Sequence, residues 1–288
     1  MTKPRLTYLF CFLFFTGCYQ ARNDSIRLMS QGLELAKSGN INSGLKLLAK
    51  AAETDPTNHR ALYYQGMLYV KRLGETAQGA KLLEAAIKLK NTNYEYFYHL
   101  GYAYYVQDKV KMAIEAYRRA IELKPDHAES HLRLGIALHS ASQHDAAQRA
   151  YRDAIKHDGY LALAYNRLGN LYVDFEEYVH AAQVFKNGIQ NNPKFGRNYH
   201  DLGMVYRSQE RWKDAVAFMK KGLEREPKHT AGYFNLSMTY LDSGQKKKAL
   251  EQLKSYLARS GSDSDRLRIQ TAERHIRKLD AALGRAKR

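Results

Sequence analysis

The chain has 288 residues, a formal net charge of +17 and a pI near 9.7. Its two cysteines, Cys11 and Cys18, lie near the N-terminus, so the rest of the chain has no thiol that could form a wrong disulfide in an oxidising compartment. The basic charge suits nucleic acid, anionic lipids or envelope polymers, or an acidic protein, unless these charges are simply solvated. No run alternates basic with aromatic residues as a nucleic-acid stacking platform requires, so nucleic acid is not an expected partner.

Residues 1–17 have the pattern of a secretory signal. Lys3 and Arg5 precede an apolar run from Leu6 to Phe15. This run is too short to span a bilayer of about 30 Å, but it matches the core of a signal peptide. An ordinary signal peptide and an uncleaved anchor are the alternatives to the lipoprotein signal described next.

The segment ends in Phe-Thr-Gly-Cys at residues 15–18, which resembles the lipobox of bacterial lipoproteins, with Phe15 at the position where leucine is usual. The resemblance implies cleavage before Cys18 and lipidation of Cys18 by acyl groups such as palmitate. Tyr19, rather than aspartate, follows the cysteine, which in that family implies the periplasmic face of the outer membrane. Residues 18–24 are then the acylated cysteine and a short tether.

A small residue recurs along the chain at intervals of 34 residues, with a single interval of 35. A second small residue follows most of these by twelve positions, and a large residue lies four positions further on, on the same helical face. Prolines at 56, 125, 193 and 227 lie where the second helix of each unit must end. The recurring residues are Gly32, Gly66, Gly101, Gly135, Gly169, Gly203 and Ser237.

This pattern resembles the tetratricopeptide repeat (TPR), a helix-turn-helix unit of 34 residues. The resemblance implies an all-α fold, a right-handed α-solenoid of about seven repeats over residues 25–261. Small residues let the two helices of each repeat approach closely. Repeat two is the least regular, because it carries one additional residue between Leu73 and Gly79.

Residues 262–288 are predicted to form a C-terminal capping helix and a basic tail. Ser262 to Asp265 resemble a helix N-terminus, and an apolar stripe follows at spacings of three and four. We favour a cap over repeat seven rather than a membrane or partner helix, because stacked repeats need a terminal cover. The stripe comprises Ile269, Ala272, Ile276, Leu279 and Leu283.

No motif for catalysis or cofactor binding is recognisable. The chain lacks a glycine-rich phosphate loop, a zinc-protease motif and a nucleophile elbow. His127 and His131 lie four residues apart, but no third ligand is evident, so packing or surface roles are favoured over metal binding. We therefore expect no enzyme activity, no metal and no cofactor.

Binding of a protein is the remaining expectation. In TPR proteins the first helix of each repeat lines a groove, chiefly through residues three before, one after and four after the repeat glycine. In the early repeats these positions are apolar and aromatic, which suits an amphipathic helix or an extended peptide; the alternative is that the aromatic residues pack inside the fold. The candidate groove residues are Met29, Leu33, Tyr63, Met67, Tyr98, Tyr102, Tyr105, Leu132 and Ile136.

An acylated outer-membrane TPR protein resembles the pilotin lipoproteins of type IV pilus systems. The resemblance implies a scaffold that holds a helix of a secretin-like subunit and carries it to the outer membrane. The main alternative is a TPR lipoprotein adaptor for peptidoglycan hydrolases or synthases. A third possibility, if the leader is misread, is a cytoplasmic TPR assembly scaffold.

Overall fold

The computed structural model describes the backbone of residues 5–261 and 265–285 and the side chains of residues 19–261 and 265–284. Within these ranges the chain forms fifteen α-helices and one π-helical turn, with no β-strand. The helices belong to two compact units, Met1–Ala147 and Gln148–Arg288. The predicted all-α repeat fold is therefore confirmed.

The first unit contains three complete helical hairpins and the first helix of the fourth. Each helix packs against the next one along the chain. The helices are α1 Arg5–Lys37, α2 Ile41–Thr54, α3 His59–Leu68 with a π-turn at Tyr69–Leu73, α4 Thr76–Leu89, α5 Tyr94–Val106, α6 Val110–Leu123 and α7 Ala128–Ser140.

The second unit begins within α8 and contains three more hairpins and a final helix. Here too, consecutive helices from α9 onward pack against each other. The helices are α8 His144–His157, α9 Ala162–Asp174, α10 Tyr178–Asn191, α11 Gly196–Ser208, α12 Trp212–Arg225, α13 Thr230–Asp242, α14 Lys246–Arg259 and α15 Arg266–Arg285.

The recurring small residues lie where the two helices of a hairpin cross. A Cβ atom added to Gly32 would lie 2.9 Å from the carbonyl oxygen of Gly44, and one added to Gly44 would lie 2.6 Å from the carbonyl oxygen of Gly32. No side chain fits between backbones this close. The predicted reason for the glycine period is therefore confirmed.

The large residues of the second helices form the centre of the core. They lie sixteen residues after the repeat glycine, or seventeen in repeat two, and each is less than 2% exposed. Burial of this kind is the main stabilising contribution, about 1.5–3 kcal/mol for each large apolar side chain. These residues are Leu48, Leu83, Tyr117, Tyr151, Phe185, Met219 and Leu253.

Turns inside the hairpins share a left-handed residue that the sequence analysis missed. It is glycine in repeats one, two and seven, but Asp108, Ser142, Glu176 and Glu210 adopt the same positive φ in repeats three to six. The helix ends between repeats agree with the proline positions, since α2, α6, α10 and α12 each stop two residues before a proline. A proline cannot continue a helix that needs its N–H.

Repeat two absorbs its additional residue as the π-turn Tyr69–Leu73, which closes on Gly74 with φ +71°. The extra residue is accommodated locally, because the crossing of Gly66 with Gly79 has the same close geometry as the crossing in repeat one. The irregular register predicted for this repeat is thus a wider helical turn.

Helix α15 packs against repeat seven. Ala272 and Leu279 are buried in the cluster formed by α12, α13 and α14, and Ile269 and Ile276 pack against it. The Asp265 carboxylate accepts hydrogen bonds from the backbone N–H groups of Leu267 and Arg268, which caps the helix. Residues 262–264 lie outside the described part of the chain.

The N-terminal segment continues directly into repeat one. Helix α1 includes residues 18–24, so the predicted tether is helical rather than an extended linker. The Ser25 hydroxyl donates to the carbonyl oxygen of Ala51 at 2.6 Å and ties this helix to α2. Residues 1–4 and the side chains before Tyr19, Cys18 included, lie outside the described part, so the lipidation of Cys18 stays a prediction.

Candidate protein-binding groove

An open groove of about 760 Å³ lies on the first unit. Its walls come from the first helices of repeats one to four, α1, α3, α5 and α7, and from the π-turn. The lining residues are Leu33, Ala36, Lys37, Tyr64, Met67, Leu68, Lys71, Arg72, Tyr98, His99, Tyr102 and Arg133.

Four of the nine predicted groove residues line it. Leu33, Met67 and Tyr102 each follow a repeat glycine by one residue, and Tyr98 lies three residues before Gly101. Ile136 and Tyr105 are partly exposed but lie outside the lining, and the Tyr105 hydroxyl is 3.0 Å from the Ser140 hydroxyl. The position one after the glycine is therefore the most consistent part of the sequence prediction.

The position three before the glycine was assigned to the groove incorrectly in three repeats. Met29, Tyr63 and Leu132 are only 4%, 5% and 0% exposed, so they belong to the core. Tyr63 stacks on Tyr96, with ring centroids 4.5 Å apart. These side chains pack between helices and are not part of the groove lining.

The position two before the glycine lines the groove instead. Tyr64, His99 and Arg133 all occupy it, each in a different repeat. A shift of one residue along an α-helix turns the side chain by about 100°, which is enough to move it from the core to the groove. A repeat-by-repeat comparison of this position would have shown that it is polar or aromatic rather than aliphatic.

Basic side chains at the groove were also missed. Lys37 and Lys71 each lie five residues after a repeat glycine, and Arg72 belongs to the π-turn. The recurrence of lysine after an interval of 34 residues was the signal that could have found the first two. Together with Arg133 they give the groove four cations, and no carboxylate is among its lining residues.

Arg133 is the one groove cation with an acidic partner among the described residues. Its guanidinium lies 3.0 Å from the Glu129 carboxylate, and the Tyr98 hydroxyl donates to the same carboxylate at 3.4 Å. The guanidinium also lies over the Tyr102 ring, 5.7 Å from the centroid. These contacts hold Arg133 and two aromatic rings in place at the groove wall.

Burial and nearby positive charges lower the pKa values of two groove residues, Lys71 and His99. Partial burial lowers the pKa of Lys71, and Arg133 lowers it further, while Glu95 and Glu129 oppose the shift. Burial, followed by the charges of Lys71 and His127, lowers the pKa of His99 to about 3. His99 is therefore neutral at pH 7, and the groove carries the charge of its lysines and arginines.

The corresponding positions of the second unit are polar and already paired. The side-chain amides of Asn166 and Asn170 both donate to the Asp201 carboxylate, at 2.6 and 3.2 Å. Arg207 forms an ion pair with Asp242 at 2.7 Å. Because these groups satisfy each other, this surface offers fewer unpaired polar groups to a ligand than the groove does.

The histidines singled out in the sequence contact neighbouring protein groups. Nδ1 of His127 lies 2.7 Å from the Ser130 hydroxyl, and Nε2 of His131 lies 2.8 Å from the Pro125 carbonyl oxygen. Among the described residues, no group of three or more His, Cys, Asp or Glu side chains is arranged to hold a metal ion. In the same part of the chain, no helix has the length and apolar character needed to cross a membrane.

Comparison with known proteins agrees with the helical hairpins. Sequence profiles of the tetratricopeptide repeat match residues 29–93, 94–127, 116–149 and 206–272. No curated protein sequence is matched.

Solved structures give the same fold. MamA is 27% identical, with a TM-score of 0.53 over 56% of this chain and 93% of its own. A TPR protein from Parabacteroides merdae ATCC 43184 is 15% identical, with a TM-score of 0.67 over 89% of this chain and 98% of its own. YrrB, a TPR protein with an unusual peptide-binding site, is 17% identical, with a TM-score of 0.52 over 69% of this chain and 97% of its own. The chain belongs to the tetratricopeptide-repeat family.

Proposed function

We propose that this protein is a non-enzymatic scaffold that binds a helix or peptide of a partner protein in the groove of the first unit. The observation that carries the proposal is the row of Leu33, Met67 and Tyr102, which present apolar surface at the same position of three successive repeats. Apolar side chains left at a surface in this regular way suit a partner that buries its own apolar face there.

Removing two of these side chains tests the groove. Met67→Ala together with Tyr102→Ala should weaken capture of the partner and leave the melting temperature nearly unchanged, since both side chains are only partly buried. Met112→Ala together with Tyr105→Ala is the matched control, because it removes the same residue types from the first unit outside the groove lining. Equal loss of binding in both pairs, or a large loss of stability in the first, would refute the assignment.

We further propose that acyl chains on Cys18 hold the protein at the periplasmic face of the outer membrane. The support is the sequence pattern of residues 1–18. Each buried acyl methylene contributes about 0.8 kcal/mol of membrane affinity, so a set of chains anchors firmly. Labelling with radioactive palmitate should mark the wild type but not Cys18→Ala. Label retained in that variant, or an unlabelled full-length precursor in both, would contradict the anchor.

The leading role for such an anchored scaffold is that of a pilotin for type IV pilus secretin assembly. The support is the combination of a lipobox with seven TPR units. Deleting the protein should replace the heat-resistant secretin multimer with monomers on unheated gels, and the Met67→Ala and Tyr102→Ala pair should do the same. Unchanged multimers, with altered recovery of peptidoglycan hydrolases or synthases, would instead identify an adaptor for cell-wall enzymes.

A further inference from the structure

The groove has more positive charge than its own surroundings neutralise. Of its four cations, Arg133 is paired with Glu129, whereas Lys37, Lys71 and Arg72 have no carboxylate within 4.0 Å among the described residues. The lining residues include no aspartate or glutamate. A ligand that brought carboxylates to this site would therefore meet three cations that have no carboxylate partner in the described part of the chain.

The π-turn contributes two of these cations. It exists because repeat two has thirteen rather than twelve residue steps between its crossing glycines, Gly66 and Gly79. A π-turn is less favourable than regular α-helix and occurs frequently at functional sites. Here it places Lys71 and Arg72 side by side at the groove, next to the apolar side chain of Met67.

In repeats one and two, an apolar residue and a lysine four positions later both line the groove. Leu33 and Lys37 come from α1, and Met67 and Lys71 occupy the equivalent positions in the next repeat. Leu33 and Lys37 lie on one face of α1, because they are four residues apart. Met67 of α3 and Lys71 of the π-turn both line the groove. An occupant that complements this pattern carries an apolar face with acidic residues along its edge.

We propose that the occupant of the groove is an acidic amphipathic segment of a partner protein. Its apolar side chains pack on Met67 and Tyr102, and its Asp or Glu side chains pair with Lys37, Lys71 and Arg72. This inference rests on the proposed function, since it names the chemistry of the partner that the groove holds. The anions are side-chain carboxylates, so a free C-terminus is not required.

Three matched peptides test this chemistry by fluorescence anisotropy on the full chain. Each is helical and C-terminally amidated, with leucines at spacings of three and four. The flanking positions are Glu in one, Gln in the second and Lys in the third. The Glu peptide should bind about tenfold more tightly than the Gln peptide, as two or three partly exposed ion pairs imply. The Lys peptide should bind least, and the advantage of Glu should shrink as NaCl rises from about 50 to about 500 mM.

Variants connect the effect to named residues. Lys71→Gln with Arg72→Gln should reduce the preference for Glu over Gln, because Lys37 is then the one groove cation of the three that remains. Lys111→Gln with Arg118→Gln should keep it, because these exposed residues of α6 lie outside the groove and change the net charge equally. Thermal melting followed by circular dichroism checks that both variants fold.

The outcomes separate the two levels of the proposal. Equal affinity for the Glu and Gln peptides, with both weakened by the Met67→Ala and Tyr102→Ala pair, would overturn the acidic partner and keep the groove. Failure of all three peptides to bind, or binding that this pair does not change, would overturn the groove itself. An undiminished preference for Glu in the Lys71→Gln with Arg72→Gln variant would place the acidic contact elsewhere and overturn the inference. Binding of phosphatidylglycerol vesicles through these residues, without peptide binding, would replace the protein partner with a lipid.

Discussion

At the scale of single residues, one position in each hairpin turn is held in the left-handed region of φ. Gly39, Gly74 and Gly244 occupy it in three repeats, and four repeats use Asp, Ser or Glu. A residue with a Cβ atom pays about 1–2 kcal/mol for this conformation. The left-handed position could have been predicted from the three glycines, since they follow the repeat residue by seven or eight positions. It was missed because the other four repeats have no glycine there.

Replacing Glu210 by glycine should therefore stabilise the protein. Its φ is +56° and its side chain is exposed, so the change relieves the backbone without removing a buried contact. The gain should be about 0.5–1 kcal/mol after the larger chain entropy of unfolded glycine is subtracted. Urea unfolding measures it. The reverse change, Gly244→Ala, should cost a similar amount, because nothing lies within 4 Å of an added Cβ atom and the backbone alone is strained.

A buried hydroxyl at Tyr117 allows a second prediction. Tyr117 is 1% exposed, and its hydroxyl has no hydrogen-bond partner among the described residues. The equivalent residue of repeat five is Phe185, which packs on its glycine without a hydroxyl. Tyr117→Phe should leave stability unchanged or raise it by about 1 kcal/mol, because burying an unsatisfied hydroxyl is unfavourable.

Chemical unfolding of Tyr117→Phe provides the measurement, with Tyr104→Phe as its control. The Tyr104 hydroxyl donates to the Glu84 carboxylate at 2.6 Å, so that variant loses a real hydrogen bond. A clear loss of stability in Tyr117→Phe would mean that its hydroxyl is satisfied after all.

At the scale of helices, the crossing point decides which residue types are tolerated. The period of small residues was sufficient to predict the hairpins, because backbone contact leaves few alternatives. The prolines predicted where the second helices end, and the apolar stripe after residue 265 predicted the final helix. The groove was harder to predict. Tyr63 and Tyr64 are neighbours of the same type, and only the rotation of α3 against its neighbours sends Tyr63 to the core and Tyr64 to the groove. The π-turn was also not predicted, because the packing of neighbouring helices decides where one extra residue is accommodated.

The crossing of α9 with α10 provides a direct test. A Cβ atom on Gly169 would lie 2.5 Å from Cε1 of Phe185, a ring that is fully buried. Gly169→Ala should destabilise the protein by about 1–3 kcal/mol through overpacking, despite the higher helix propensity of alanine. Gly159→Ala is the control, since its nearest neighbour is a carbonyl oxygen at 4.0 Å. A neutral Gly169→Ala would show that the helices can separate at no cost.

At the scale of the whole molecule, buried imidazoles make the fold sensitive to acid. Burial lowers the pKa of His99 in the first unit, and it lowers those of His200 and His229 in the second. In the unfolded chain these histidines become protonated as the pH falls below about 6.5, whereas in the folded protein they stay neutral to a lower pH. Stability from neutral imidazoles is therefore fully present above about pH 6.5 and is lost as the pH falls towards the folded pKa values.

For His99 this window extends from about pH 6.5 down to about pH 3, its folded pKa. As the pH is lowered through this window, the free energy of unfolding should fall by as much as about 1.4 kcal/mol per pH unit for each buried histidine. Urea unfolding at several pH values between 4 and 7 measures the slope. His99→Asn should reduce the slope whatever it does to stability at pH 7. A variant with the same slope would show that His99 titrates normally.

Helix α1 runs without interruption from Arg5 to Lys37, and so it joins Cys18 to the groove residue Leu33. At 1.5 Å per residue, the fifteen residue steps from Cys18 to Leu33 span about 22 Å of rigid rod. With an acylated Cys18, this rod would set both the height of the groove above the bilayer and the direction in which it opens. Inserting one residue between Cys18 and Ser25, before the contacts of repeat one begin, would turn the groove by about 100° relative to the lipid while raising it by only about 1.5 Å. Binding in solution would be unaffected, but a partner attached to the same membrane would find the groove facing away.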